Sequence, residues 1–263
     1  MNYKNLLIFD ISSEYGHFRK FNTTTSPLTY SVPTRPAIAG LIGAIIGIER
    51  ETGPNKHNEG SVPLPELLSR ENASIAVQLQ APVKKTNIGF NLVSTKNFRD
   101  YFNINDKDSK GSIKDTYRRT QIEFELLKNP SFRIFISWEN KNLFQKLVEN
   151  LKQNKTHFTP YLGLSQFTAQ VKFVTVCQAE MTQPDDYEDV VTAINLSKVK
   201  GEDSIQFDYE SGRYTSDTMP IEMQADRIVT DYAEVLVETN GKSTRAKLNS
   251  IYRTQDYGNI SFL

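Results

Sequence analysis

Among side chains able to move a proton, hold a metal or attack a bond, histidine and cysteine are scarce in this 263-residue chain. The histidines are His17, His57 and His157, and none sits in an HExxH or comparable spacing. Two neighbour lysines, in Lys56-His57 and Lys155-Thr156-His157. Such a pair could shuttle a proton around an RNA phosphate, and it also arises easily by chance on a surface. No GxSxG nucleophile elbow occurs. Gly40-Leu41-Ile42-Gly43 lacks the Gly-Lys-Ser/Thr ending of a phosphate loop. The lone Cys177, in Val174-Thr175-Val176-Cys177, reads as an ordinary buried thiol in a strand and permits no internal disulfide. The residues therefore favour a protein with no catalytic group, metal or cofactor over an enzyme.

Binding RNA asks for less: cations for phosphates, rings for splayed bases, and backbone donors at a helix start. The run Tyr15-Gly16-His17-Phe18-Arg19-Lys20 gathers rings and cations. Tyr15, His17 and Phe18 could stack, with Phe18 equally a core residue. Arg19 and Lys20 could meet phosphates or be solvated. Arg35 stands at a helix start, where an anion would sit. Arg118 and Arg119, with Thr120 and Gln121, form a second polar and basic group, and Lys84, Lys85 and Arg99 are weaker members.

Lys plus Arg balances Asp plus Glu at 31 each, with a pI near 6.9, which argues mildly against a free-standing nucleic-acid binder. Distribution matters more than the total: cations crowd 84–119, and Asp185-Asp186-Tyr187-Glu188-Asp189 is acidic. The acidic run reads as a solvated loop or a partner contact. The start of the chain carries no signal-peptide pattern, so a cytoplasmic location is expected. The apolar run 37–48 is far short of the roughly 20 residues of a membrane span.

The elements that must position these groups begin with a strand at 6–11. A helix at 37–48 follows, with Thr34 or Arg35 as its cap and Pro36 in its first turn. Gly40, Gly43, Ala44 and Gly47 stripe one face of it, and glycine costs roughly 1 kcal/mol against alanine inside a helix. Close approach of another backbone, as on a sheet, would offset that. A loop at 52–65, a short helix at 65–69 and an alternating strand at 73–80 come next. Residues 84–121 read as an extended hairpin, with strands at 88–93 and 116–124 around a soluble tip at 105–112. A strand at 131–138 and a helix at 142–153 repeat the strand–helix pairing of the N-terminus. The fold class expected is α+β: a ferredoxin-like βαββαβ core, as in an RNA-recognition motif, with an extended hairpin and a smaller β-rich C-terminal portion. The core falls at 1–178, with the hairpin at about 84–124, and the C-terminal portion at 179–263. Strand-like pieces of that portion recur at 193–199, 204–209, 228–237 and 249–252.

Three pieces in order carry a family resemblance: Tyr15-Gly16-His17-Phe18-Arg19-Lys20, then Thr29-Tyr30-Ser31-Val32-Pro33-Thr34-Arg35, then Ala39-Gly40-Leu41-Ile42-Gly43-Ala44-Ile45-Ile46-Gly47-Ile48. Together they resemble the start of the fifth family of CRISPR-associated (Cas) proteins, of the repeat-associated mysterious protein (RAMP) superfamily, in its type I-B flavour. Phe158-Thr159-Pro160-Tyr161-Leu162-Gly163-Leu164-Ser165-Gln166-Phe167 resembles the family's loop after the second helix, with Gly163 and Ser165 as contact residues. A turn into a strand at 169–176 is the plain alternative. Met219-Pro220-Ile221-Glu222-Met223 and Arg227 resemble its C-terminal part. The resemblance implies that the hairpin is a thumb gripping the 5′ handle of a CRISPR RNA in a Cascade surveillance complex. The implied partners are the repeated backbone subunit and the large subunit, with target DNA met indirectly. Some type I-C relatives cut precursor RNA with Tyr, Lys and His, which makes an endoribonuclease the alternative. Neither Lys-His pair here matches that pattern.

Overall fold

A computed structural model describes residues 3–21, 26–48, 62–93, 119–201 and 203–263. The first strand, β1 (Tyr3–Ser12), carries Leu6, Leu7, Ile8, Phe9 and Ile11, all buried. An unbroken apolar run suits a strand covered on both faces, and β1 is such a strand. After it come β2 (Tyr15–Gly16), α1 (Arg35–Ile46), α2 (Leu64–Leu67), β3 (Ala73–Leu79), β4 (Lys85–Val93), β5 (Arg119–Lys128), β6 (Ser131–Trp138), α3 (Lys141–Lys152) and β7 (Gln170–Thr182). Four of these strands lie side by side in the order β7-β1-β6-β3, every pair antiparallel. With α1 after β1 and α3 after β6, this is the strand order of a βαββαβ ferredoxin-like unit. The β4–β5 hairpin is inserted between its second and third strands.

Helix α1 starts where Thr34 Oγ1 accepts from the Ala37 N–H at 3.4 Å. It ends two residues before the expected 48, because Gly47 turns left-handed (φ 74°) and returns its N–H to the Gly43 carbonyl at 2.9 Å. Its glycines do not meet a sheet backbone, as the sequence suggested. A Cβ on Gly43 would stand 2.5 Å from Leu64 of α2, one on Gly47 would strike the His157 ring, and one on Gly40 would meet nothing within 4 Å. Helix α3 is capped by Asn140, whose Oδ1 accepts from the Leu143 N–H at 3.1 Å. Ile38, Ile42 and Ile45 of α1 and Leu147, Val148 and Leu151 of α3 share one core with Phe132, Ile134, Ile136 and Trp138 of β6.

The C-terminal strands are β8 (Glu188–Val190), β9 (Ile194–Asn195), β10 (Ile205–Gln206), β11 (Tyr214–Met223), β12 (Val229–Glu238), β13 (Thr244–Ala246), β14 (Ile251–Thr254) and β15 (Gly258–Ile260). Five extend the same sheet, which runs β10-β13-β8-β15-β14-β7-β1-β6-β3. The expected boundary at 178–179 therefore lies inside β7. β11, β12 and β9 form a separate three-stranded sheet. Met219, Ile221, Ala233, Val235 and Val237 of its long hairpin complete the core around α1. The far end of the main sheet curls back: Ala193 and Leu263 donate main-chain N–H groups to the Val77 and Ile75 carbonyls at 2.8 and 2.9 Å. The outer edge of β3 is thus protected from pairing with another chain.

Three readings need correction. The acidic run is not wholly a loop, since Glu188 and Asp189 pair with β13. β11 went unread, because Thr215, Ser216, Asp217 and Thr218 look polar in sequence yet bond to β12 throughout. Cys177 is half-buried rather than fully so, and burial raises its thiol pKa. Among the described residues, no helix is long and apolar enough to cross a membrane.

Candidate nucleic-acid interface

The β4–β5 register sorts the hairpin into two faces, since residues paired across strands share a side. Ile88, Phe90 and Leu92 sit opposite Phe124, Ile122 and Thr120; Asn87, Gly89 and Asn91 sit opposite Glu125, Glu123 and Gln121. The apolar face has a small core of its own. Phe124 and Leu126, with Ile88, Phe90 and Ile122, pack on Tyr15, Leu164 and Phe167. Phe90 meets Phe124 at 5.0 Å between ring centroids, and Tyr15 meets Phe167 at 6.0 Å. The hairpin root is tied by Lys85 Nζ to Glu125 Oε1 at 3.0 Å, and the same oxygen accepts from the Thr29 N–H at 3.0 Å.

The turn at 161–168 packs beneath this face. It closes through a bridge between Tyr161 and Thr168 and through the Leu162 N–H to the Phe167 carbonyl at 2.9 Å. Gly163 has φ 86°, and a Cβ there would stand 1.7 Å from the His17 carbonyl oxygen. Gly163 thus makes a close backbone approach, and its object is the segment of this chain that follows β2. There the His17 N–H donates to the Leu162 carbonyl at 3.0 Å. Tyr161, Gly163, Ser165 and Gln166 are exposed on the outer side of the turn.

His17 is 2% exposed and cannot stack on a base. Its Nδ1 lies 2.8 Å from the Glu125 carbonyl oxygen, and its ring meets Phe124 edge-on at 5.3 Å. A carbonyl only accepts, so Nδ1 carries the proton and Nε2 is left a bare acceptor, buried without a partner among the described residues. Burial pushes the imidazole pKa down and the nearby Arg19 charge adds to that, while the Glu125 carbonyl and carboxylate oppose it. Phe18 is core, its ring 6.1 Å from Phe132.

The expected cations divide. Arg19 is exposed, beside a bridge to Thr29. Lys20 is committed to Asp217 of β11 and lies 5.6 Å over the Tyr30 ring. Arg35 is no anion site: it is 3% exposed and reaches inward, with Nη2 2.7 Å from the Ala73 carbonyl, Nη1 3.4 Å from the Ile221 carbonyl, and Glu222 3.8 Å away. Burial lowers its pKa to about 10 despite Glu222. Thr120 and Gln121 are both exposed but on opposite hairpin faces, so only Thr120 lies on the side of the 161–168 turn. Of Arg119 the main chain pairs with Val93; Arg118, Arg99, and Lys56-His57 lie outside the described residues. His157 is exposed, edge-on to Phe158 at 4.6 Å. No three His, Cys, Asp or Glu side chains among the described residues are grouped to hold a metal.

Tyr15 and the 161–168 turn, with Gly163 and Ser165, thus meet at the hairpin root, with Arg19 nearby, while Thr120 lies on the same face at the opposite end of β5 from the Lys128 that pairs with Tyr15; His17 lies beneath the root, and Lys20 and Arg35 serve the fold. Sequence reasoning missed Tyr161, an exposed ring two residues before Gly163. A ring adjoining a positive-φ glycine was its available signal.

Solved structures share this fold. A CRISPR protein from Archaeoglobus fulgidus superposes with a TM-score of 0.52 at 13% identity, over 98% of this chain and 100% of that one. A chain of a CRISPR RNA-guided surveillance complex superposes with a TM-score of 0.52 at 12% identity, over 92% of each chain. No curated protein matches the chain in sequence. The family described as CRISPR-associated protein (Cas_Cas5) matches residues 6–238. The chain belongs to this Cas5 family.

Proposed function

We propose that the protein is a non-catalytic RNA-binding subunit of a type I, I-B-like Cascade complex. It holds the 5′ handle of a CRISPR RNA on the joint outer surface of the β4–β5 hairpin and the 161–168 turn. The observation that carries this reading is the hairpin: its apolar face is built against that turn, while Ser165, Tyr161 and Arg19 are left exposed near its root and Thr120 at its far end. Arg118 and Arg119 supply phosphate contacts, and Tyr15 and Tyr161 offer ring surface to splayed bases. The neutral net charge fits a subunit whose remaining surface meets protein: the backbone subunit, the large subunit and, through them, target DNA. In this reading the chain works in the cytoplasm, with residues 1–178 as the RNA-holding part and 179–263 as the β-rich addition.

The test is titration of a fluorescent 5′-handle RNA from the cognate repeat across a salt series. Arg118→Ala with Arg119→Ala should weaken binding and flatten the salt dependence, by roughly 0.7 in slope for each lost contact to a single strand. An unchanged affinity and slope would remove these residues from the interface. Incubating the protein with precursor repeat RNA and EDTA separates this reading from self-processing, since cleavage at one position would establish an endoribonuclease.

A further inference from the structure

At the end of the sheet opposite the hairpin, where β3 begins and β1 enters, a cavity of about 340 Å³ opens. This falls within the roughly 300–1,000 Å³ of small-molecule sites. Its lining includes Arg70, Ser74, Lys198, Tyr252, Ser261 and Phe262. Lys198 Nζ donates to the Phe262 carbonyl at 2.8 Å, which leaves two of its three N–H groups for another acceptor. At the rim, Lys4 Nζ donates to Ser74 Oγ at 2.7 Å and stands 5.9 and 5.6 Å from the Tyr252 and Phe262 ring centres. No ion pair within 4.0 Å joins Lys4 or Lys198 to a carboxylate among the described residues. Arg70 adds charge from one wall, though Glu222 at 3.1 Å and Asp231 at 2.6 Å already engage it. Glu71 also lines the cavity. Ser261 is 1% exposed, and its Oγ has no hydrogen-bond partner among the described residues.

A buried ammonium group without a paired carboxylate, as at Lys198, is costly unless an anion joins it. Burial, with Arg70, Arg35 and Lys4 each adding to it, lowers the Lys198 pKa to about 8. Two ammonium groups, an orphaned hydroxyl and two ring walls match one chemistry: several acceptor oxygens with two negative charges. We infer that this cavity binds a phosphate dianion, carried free or on a mononucleotide, at a site separate from the hairpin and independent of the RNA-binding reading.

Calorimetry with inorganic phosphate, AMP and adenosine tests it on the whole chain. Phosphate and AMP should bind saturably in the millimolar range or tighter, and adenosine should not. AMP binding better than phosphate identifies the nucleotide as the ligand; equal binding identifies free phosphate. Lys198→Met and Lys4→Met should each weaken binding by about tenfold or more, as loss of a charge-assisted bond does. Binding should also fade as pH rises through about 8, where Lys198, faced by Lys4, Arg70, Arg35, Glu71 and the raised-pKa Tyr252, loses its proton. Circular dichroism reports whether each variant folds, and should Lys198→Met unfold, Lys4→Met carries the test. No saturable binding, or binding unchanged in a folded variant, overturns the inference.

Discussion

Gly163→Ala is the substitution from which most can be learned. The residue sits at φ 86°, a left-handed conformation that costs an L-residue with a side chain about 1–2 kcal/mol. Its new methyl would lie 1.7 Å from the His17 carbonyl oxygen and must retreat beyond 3.0 Å. The opposing atoms are main chain, so the 161–168 turn and the β2 segment must part. Parting breaks the His17 N–H bond to the Leu162 carbonyl at 3.0 Å and loosens Leu162, itself 1% exposed. Leaving that N–H buried and unmet adds roughly 1–3 kcal/mol. The expected loss is about 2–5 kcal/mol, which at roughly 2–4 °C per kcal/mol lowers Tm by about 4–20 °C. Gly40→Ala is the control, because a Cβ there meets nothing within 4 Å inside α1. It should stabilise by about 0.5–1 kcal/mol through helix propensity. Urea denaturation followed by circular dichroism measures both. If Gly163→Ala stays within about 0.5 kcal/mol of the parent, or both substitutions shift stability in the same direction, the assignment of Gly163 as an internal clamp is wrong.

Other expectations follow from the same contacts. Arg35→Met should cost about 1–3 kcal/mol in urea denaturation, because the Ala73 and Ile221 carbonyls lose a buried donor; a neutral result would mean those carbonyls find water. The lowered His17 pKa means that the unfolded chain binds a proton more readily below its ordinary value of 6.5. Its contribution to stability is therefore steady above 6.5 and falls as pH drops through it. His17→Gln, which keeps a donor for the Glu125 carbonyl, should flatten that part of the pH profile between 7.5 and 5.5, and an unaltered profile would deny His17 the role. Asp217→Asn should weaken the tie between Lys20 and β11, with a loss of no more than about 1 kcal/mol for a pair still reached by water.

The βαββαβ core was legible because its signals are local. The unbroken apolar run of β1, the alternation of β3 and β6, and the amphipathic stripe of α3 each name an element and its buried side. The C-terminal part was less legible. Its strands are short, and β11 draws its order from pairing with β12, a long-range fact that no window of sequence contains. The candidate site shows the same division. Tyr15, Gly163 and Ser165 lie in one neighbourhood at the hairpin root, while Thr120 sits at the far end of β5. His17, Lys20 and Arg35 look like surface groups by residue type, yet each is claimed by a distant partner: the Glu125 carbonyl, the Asp217 carboxylate and the Ala73 carbonyl. Only the folded chain reveals that these side chains are turned to partners within the fold.

The central claim is that the leading end of a guide RNA lies on the joint outer surface of the β4–β5 hairpin and the 161–168 turn. The most direct measurement is photo-crosslinking of a 5′-handle RNA carrying 5-iodouridine at successive positions, with the joined peptides identified by mass spectrometry. The account predicts adducts confined to the hairpin, the 161–168 turn and the segment around Tyr15 and Arg19. Adducts concentrated on the outer faces of α3 or β12, with none at the hairpin or the turn, would contradict it.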